Sequence, residues 1–285
     1  SGMYKSTYWG VTWKPAGLHH TQHISRVLVH ATDPDTVWVA TLGALYTHEK
    51  SRGVYKTTDG GSTWEQTLFV NDSTGIVDLT INPKNPQQLW ASSWERTRKA
   101  WNFKGNGEGS TIYRSDDGGK TWQQKSEGFP SESTVGRIGL AVSQQNPGIL
   151  YALLDNQAET KEEKKKEAGK LLPSDLLSIT KDAFLSLEDE KLATFLKDNG
   201  YPKKYSAALV KNDIKEGKDT LDDIANYFGD ANAALFDTNV TGAQLYKSMD
   251  AGDTWQLVNS YDLDGVYFTY GYYFGEVRVN PTNDD

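Results

Sequence analysis

Four stretches of this chain align without a gap: YKSTYWGVTW from Tyr4, YKTTDGGSTW from Tyr55, YRSDDGGKTW from Tyr113 and YKSMDAGDTW from Tyr246. They share the pattern Tyr, Lys/Arg, Ser/Thr, any residue, Asp, any, Gly, any, Thr, Trp, with Tyr8 replacing the Asp in the first copy. A chain that repeats one unit covers the faces of each unit with its neighbours. Upstream of the last three copies lies a second shared stretch: HISRVLVHATDPDTVWVA from His23, GIVDLTINPKNPQQLWAS from Gly75 and RIGLAVSQQNPGILYAL from Arg137. A partial further copy, FGEVRVNPTND from Phe274, follows the last of these.

Each full copy carries four strand signals. In the first copy these are the alternating Val27-Leu28-Val29, then Val37-Trp38-Val39-Ala40, then Val54-Tyr55-Lys56-Thr57, then a strand from Trp64. An Asp/Asn-Pro turn joins the first two, and an Asp-Gly-Gly hairpin turn joins the last two. Aromatic residues at 12 % and 26 glycines suit short strands and tight turns. Four antiparallel strands recurring every fifty-odd residues make a blade of a β-propeller. The fold class is therefore all-β, with blades over residues 1–154 and 244–285 and an insertion over 155–243.

The hairpin pattern resembles the Asp-box, or BNR repeat. Over residues 1–154 and 244–285 the chain is similar to the propeller repeats of sortilin-type domains. It is similar in particular to bacterial exported BNR-repeat proteins often labelled glycosyl hydrolase, and HISRVLVHATDPDTVWVATLG and GRIGLAVSQQNPGILYAL carry that likeness. Sialidases, xyloglucanases and a photosystem assembly factor share the box with different chemistry, so the box by itself marks a fold device. The resemblance implies a secreted, periplasmic or cell-surface protein.

The box residues are Ser6, Gly10 and Trp13; Thr57, Asp59, Gly61 and Trp64; Ser115, Asp117, Gly119 and Trp122; and Ser248, Asp250, Gly252 and Trp255. Their once-per-blade recurrence reads as structural, because catalysis needs such a group once. Each Asp is expected to accept backbone N–H bonds within its hairpin, and Trp64, Trp122 and Trp255 to be buried between sheets. The first turn, with Tyr8, is expected to be looser or held by the aromatic ring.

Short, regular turns fall on one face of the propeller, and irregular loops (42–52, 93–110, 155–242, 14–22 and 261–273) fall on the other. Binding residues concentrate on variable loops carried by a rigid scaffold. Candidates on that face are His19, His20 and His23, as a ligand or metal cluster or as solvated loop residues. Trp94, Glu95, Arg96, Arg98 and Trp101, with Phe103, are suited to stacking on sugar or peptide and to pairing with carboxylate, or to rim packing. Tyr267, Phe268, Tyr270, Tyr272, Tyr273 and Phe274 form either a stacking platform or packing beneath the insertion. Alignment on the Asp/Asn-Pro turn sets Arg26, Asp78, Gly139 and Glu276 at one level of the channel-lining strands, with Arg137 two residues earlier. These charges read either as inter-blade ion pairs or as a charged pocket at the channel mouth.

The insertion opens with a mixed charge run, Glu159 to Lys170, and then shows helix signals. Ser186-Leu-Glu-Asp precedes a helix with Leu192, Phe195 and Leu196 that ends at Asn199-Gly200. Pro202 opens a second helix with Ala207, Ala208 and Val210, ending near Gly217. Thr220-Leu-Asp-Asp opens a third, with Ile224 and Phe228, ending at Gly229. The helices are expected to pack as a small subdomain that shapes a site, contacts a partner or serves as ornament.

A net charge of −8 argues against a broad nucleic-acid surface, and the absence of Cys excludes disulfides and thiolate metal sites. No apolar run reaches membrane-spanning length. No cofactor or metal motif stands out, and no leader is visible in a chain that opens inside a repeat. The blades are expected to form an open arc of a larger propeller, of roughly six to ten blades, completed by further polypeptide. Two functions remain open. One is a non-enzymatic propeller binding a peptide, protein or glycan on the variable face. The other is a glycoside hydrolase, which needs two carboxylates flanking a cleft about 5–9.5 Å apart, with Glu49, Glu95, Asp155 and Glu276 as candidates. The arginines are few and the Arg-Ile-Pro element is absent, which argues against a sialidase.

Overall fold

A computed structural model describes residues 2–99, 102–130, 133–159, 171–225, 240–259 and 275–283. It divides into two units, Ser1–Glu159 with Val240–Asp285, and Thr160–Asn239. The first unit is built from antiparallel sheets. A hairpin of β1 (Tyr4–Tyr8) and β2 (Thr12–Pro15) comes first. Blade one follows as β3 (Ile24–Val29), β4 (Val37–Thr41), β5 (Gly53–Thr57) and β6 (Glu65–Leu68), paired in that order. Blade two comprises β7 (Thr74–Ile81) and β8 (Leu89–Glu95), a side hairpin of β9 (Thr97–Lys99) and β10 (Asn102–Lys104), then β11 (Ile112–Ser115) and β12 (Gln123–Gln124). Blade three is β13 (Val135–Val142), β14 (Leu150–Glu159), β15 (Val240–Ser248) and β16 (Gln256–Leu257). These are the four-stranded antiparallel sheets of propeller blades. The side hairpin is not legible in the sequence. Residues 275–280, expected to open another blade, are in no strand, and no strand pairs with them among the described residues.

The hairpin turns repeat one hydrogen-bonding scheme. Asp117 accepts from the Lys120 and Thr121 backbone N–H groups, each at 2.9 Å, and from the Thr121 and Ser115 hydroxyls at 2.6 and 2.8 Å. Ser115 Oγ in turn accepts from Gly119 N at 2.8 Å. Asp59 with Thr57 and Thr63, and Asp250 with Ser248 and Thr254, repeat the scheme. These bonds favour the ionised form, so all three carboxyls titrate below the usual range; for Asp117 and Asp250 they outweigh the opposing effect of burial. At the first turn the Tyr8 ring is exposed rather than holding the turn. Ser6 Oγ still accepts from Gly10 N at 2.9 Å, and the Trp13 indole donates to Gly10 O at 2.9 Å. The turn position filled by Gly60, Gly118 and Ala251 has positive φ throughout, and there Trp9 takes φ 49°, a conformation costly for a bulky side chain.

Each hairpin turn also leans on the first turn of its own blade: Gly60 N donates to Asp35 O at 2.9 Å, Gly118 N to Gln87 O at 2.8 Å and Ala251 N to Gly148 O at 2.9 Å. The short turns thus share one face of every blade.

Indoles join the blades, in a pattern that differs from the expectation. Trp255 is buried, but Trp64 and Trp122 are half-buried and Trp13 is 61 % exposed. Each sits where the fourth strand begins, at the edge of a sheet, and Trp255 is enclosed because the Phe129 ring meets it edge-on at 5.4 Å within the core between blades two and three. Their indole N–H groups reach back to the preceding repeat, Trp64 to Ala16 O at 2.8 Å, Trp122 to Thr67 Oγ1 at 3.3 Å and Trp255 to Lys125 O at 3.0 Å. The fully buried indoles belong to the second strands. Trp38 donates forward to Gly118 O at 2.9 Å and Trp90 to Ala251 O at 2.8 Å, each in the next blade's hairpin turn. Around Trp90 pack Ile112, Phe129, Ile138, Leu150 and Trp255, the core between blades two and three.

Replacing Asp117 by Ala orphans two backbone donors and two hydroxyls, and an expected loss of about 1–3 kcal/mol follows. Chemical denaturation measures it, and the ligand affinity of the folded variant should not change. Acid sensitivity has a defined sign here. The carboxyl's folded pKa is depressed, so its stabilisation is present above the unfolded value and lost as pH falls through the folded one.

The second unit is helical: α1 (Pro173–Ser178), α2 (Lys181–Leu185), α3 (Asp189–Asp198), α4 (Ala207–Glu216) and α5 (Leu221–Ala225). Leu176, Phe184, Leu192, Phe195, Val210 and Ile214 form its own core. Helix α3 ends at Asn199-Gly200, and α4 ends at Gly217 with φ 72°. Thr220 and Asp223 exchange hydrogen bonds at the start of α5. Three details differ from the sequence expectation. Ser186 closes α2 by bonding Asp182 O rather than opening α3, Ser206 rather than Pro202 caps α4, and α1 and α2 carry no expected counterpart. Phe228, Gly229 and nearly all of the charge run lie outside the described residues.

The β14–β15 ladder brings Leu154 opposite Gln244 and Glu159 opposite Val240. Since Glu159 and Val240 are ladder partners, replacing residues 160–239 by a Gly-Ser turn should leave the blades folded. Circular dichroism is expected to lose its helical signal and keep the β signal; loss of both would show that the blades depend on the helices.

Candidate functional site

The irregular loops of blades one and two are built around Arg52, a residue that no sequence pattern singles out. It is 1 % exposed at the entrance to β5. Its guanidinium donates to Leu42 O at 2.6 Å, Ala44 O at 2.8 Å and Thr47 O at 3.0 Å, drawing the 42–50 loop around itself. Burial, and then neighbouring Arg96, lower its pKa, although an arginine stays charged. The Glu49 carboxylate accepts from Ala44 N in the same loop.

Three loops are then stitched together. Glu49 N donates to Asp72 O at 3.0 Å, His48 Nε2 lies 3.1 Å from Thr97 Oγ1, and Arg96 N donates to Ser73 O at 3.2 Å. Together they make a ledge across blades one and two. On it Tyr46, His48, Lys50 and Lys99 are exposed. Arg98 lies over the Phe103 ring, 5.3 Å from its centroid.

The sequence candidates fare differently. Trp94 is fully buried at the end of β8 and donates to Gly105 O at 2.6 Å; buried Arg96 lies 5.2 Å from its ring centre. Neither offers a face to a ligand, because β8 runs three residues, Ser93 to Glu95, into the expected loop and turns Trp94 inward. Glu95 clasps the same loop, accepting from Gly109 N at 2.9 Å. Arg98 remains on the ledge, and Trp101 lies outside the described residues, as do Tyr267, Phe268, Tyr270, Tyr272, Tyr273 and Phe274. His19, His20 and His23 are exposed. His23 Nδ1 sits 2.8 Å from Gly43 O, and the His20 ring meets Tyr55 edge-on at 5.8 Å. Among the described residues no three His, Cys, Asp or Glu side chains gather as metal ligands.

The channel-level charges do come together. Arg26 binds Asp78 at 2.8 Å and Glu276 at 3.3 Å, linking blade one to blade two and to the 275–280 segment. Asp78 also accepts from Leu140 N in blade three at 3.0 Å. Burial opposes the Arg26 charge, but Asp78 and then Glu276 outweigh it, so its pKa rises. Gly139 stands where a Cβ would lie 2.7 Å from Gly275 O, so a bare backbone is needed at that level. Deeper in blade three, Asp155 is buried beside Arg137 and accepts from Gln157 Nε2 at 2.6 Å. Burial pushes its pKa up to about 6, against the opposing effects of Gln157 and Arg137. All four candidate carboxylates are thus engaged: Glu49 and Glu95 by loops, Asp155 within the sheet, and Glu276 by Arg26 and Arg278.

A family model, Sortilin-Vps10, described as "Sortilin, neurotensin receptor 3", matches residues 1–221. The chain is similar in structure to the GH74 xyloglucanase from Xanthomonas campestris, at 11 % identity and a TM-score of 0.51 over 99 % of this chain and 31 % of that one. It is also similar to a GH74 enzyme from Niastella koreensis, at 15 % identity and a TM-score of 0.47 over 90 % of this chain and 26 % of that one. The chain therefore spans about a quarter to a third of the length of these structures, and at such identities the likeness is one of fold. No curated protein matches.

Proposed function

Because this chain belongs to the sortilin/Vps10 family of β-propellers, we propose that it is a binding propeller that recognises a peptide or protein segment on its irregular-loop face. The observation that supports this reading is the ledge. Three loops from adjacent blades are locked by Arg52, Glu49 and His48, while Tyr46, Lys50 and Arg98 supply stacking, cationic and hydrogen-bonding groups. A pre-ordered surface of this kind lowers the ordering cost of binding. The family model is named for a receptor of neurotensin, which agrees with a peptide ligand. We place the protein in a secreted, periplasmic or cell-surface setting on the same footing; among the described residues no helix is long and apolar enough to cross a membrane.

Peptide and glycan arrays probed with the chain test the reading. Binding to peptides that falls at least tenfold in Tyr46→Ala and Arg98→Ala, with unchanged melting, supports it. Binding confined to glycans, or xyloglucan hydrolysis abolished by Glu49→Gln or Asp155→Asn, overturns it in favour of a carbohydrate-directed propeller.

A further inference from the structure

The first turn of each blade is built on one side-chain acceptor at the end of the first strand. In blade two Asn82 Oδ1 accepts from Lys84 N at 2.9 Å and Asn85 N at 3.2 Å. In blade three Ser143 Oγ accepts from Gln145 N at 3.1 Å and Asn146 N at 2.8 Å. The 275–283 segment repeats the device, with Asn280 Oδ1 accepting from Thr282 N at 2.9 Å. Amide and hydroxyl oxygens accept at any ordinary pH. Blade one fills the same place with His30, whose Nδ1 accepts from Thr32 N at 3.3 Å and Asp33 N at 3.1 Å. Nδ1 accepts only while it carries no hydrogen, so these bonds require a neutral ring with its hydrogen on Nε2. Two further joints hang on this turn. Asp35 O accepts from Gly60 N at 2.9 Å, seating the blade's own hairpin turn, and the Asp35 carboxylate binds Lys5 of hairpin β1–β2 at 2.8 Å. The half-buried His30 ring lies 6.1 Å from the buried Trp38 ring.

We propose that His30 makes the first turn of blade one an acid-operated latch: an imidazolium carries hydrogen on both nitrogens, cannot accept from Thr32 and Asp33, and so frees the turn and the two joints that hang on it. Imidazole is the side chain whose charge ordinarily changes between about pH 5 and 8. The turn's bonds are present while the ring is neutral and are lost as pH falls through that range. The charged groups around the ring are Asp33 and Asp35 in the same turn, Lys5 bound to Asp35, and Lys56, whose Nζ lies 5.5 Å from the Trp38 ring centroid. Asp33 is the group that opposes the latch, since it attracts an imidazolium. Both of its oxygens are already held, Oδ2 by the Thr36 hydroxyl at 2.6 Å and Oδ1 by Asp35 N at 3.2 Å, and these two bonds, ahead of the charge of His30, lower its pKa. An ion pair with Asp33 needs the imidazolium turned away from the two N–H groups, which leaves them without their acceptor all the same. The opening is confined to blade one, because the acceptors of the other repeats do not titrate.

Hydrogen–deuterium exchange of chain 1–285, read by mass spectrometry at pH 8 and pH 5 and corrected for the intrinsic pH dependence of exchange, tests the latch. Protection over residues 31–36 and 59–62 is expected to fall at least tenfold from pH 8 to pH 5, while the matching first turns, 83–88 and 144–149, keep theirs. His30→Asn, which supplies the acceptor of blade two, should hold the protection of residues 31–36 at both pH values. Should that variant fail to fold by circular dichroism, His30→Ser, which supplies the acceptor of blade three, should do the same. Long-range proton–nitrogen NMR should find His30 with its hydrogen on Nε2 at pH 8. Equal protection of residues 31–36 at both pH values, a fall shared by all three first turns, a fall that persists in the folded variants, or a hydrogen on Nδ1 at pH 8 overturns the proposal.

Discussion

Trp90→Ala is expected to destabilise the blades by about 3–5 kcal/mol, the range for deleting a large, fully buried aromatic side chain. Trp90 has no exposed surface, packs in the core between blades two and three, and supplies a hydrogen bond to Ala251 O across that interface. The substitution leaves a cavity and a carbonyl that Arg114 alone must satisfy. Trp13→Ala, in a residue equally regular in the repeat, should change stability by less than about 0.5 kcal/mol, because its ring is 61 % exposed. Urea denaturation of the two variants makes the comparison. Equal losses would show that the hairpin tryptophans, rather than the second-strand indoles, hold neighbouring blades together.

The second large effect is a pH dependence centred on Asp155. Burial raises its folded pKa from an ordinary aspartate value to about 6. The sign follows from linkage. The folded state holds this proton more tightly than the unfolded state, so the contribution is fully present below about pH 4 and is lost as pH rises through about 6. A carboxyl raised this far above its ordinary value contributes about 3 kcal/mol across that window. The hairpin aspartates have the opposite slope, with stabilisation lost as pH falls, so they dominate under acid conditions and Asp155 between pH 4 and 7. Asp155→Asn is expected to flatten the decline between pH 4 and 7 in denaturation midpoints. A variant that keeps the wild-type slope would place the titration elsewhere.

The blades were legible in the sequence because their cause is local and repeated. A hairpin needs a turn residue with positive φ, a Ser or Thr to accept its N–H and a carboxylate to accept the next ones, and these sit at fixed offsets within ten residues. The helical insertion was legible for a similar reason: its apolar residues follow the helical period, and glycines mark two of its ends. Burial was not local. The hairpin Trp and the second-strand Trp are equally regular in the sequence, yet Trp38 and Trp90 are enclosed while Trp64 and Trp122 are half-open. The difference depends on which side chains of neighbouring repeats come to lie over each ring, as Phe129 does over Trp255, the one buried hairpin Trp. The site shows the same division. Trp94 and Arg96 have the composition of a binding loop, but three more residues of β8 pairing, Ser93 to Glu95, turned them inward. Arg52 has no motif at all and became the centre of the ledge, because three carbonyls from its own loop converge on it. Repetition within the chain determined the unit and its turns. Tertiary structure decided which charges meet, Arg26 with Asp78 and Glu276 from distant repeats, and which aromatic faces remain open, because those outcomes depend on contacts between residues that no local pattern relates.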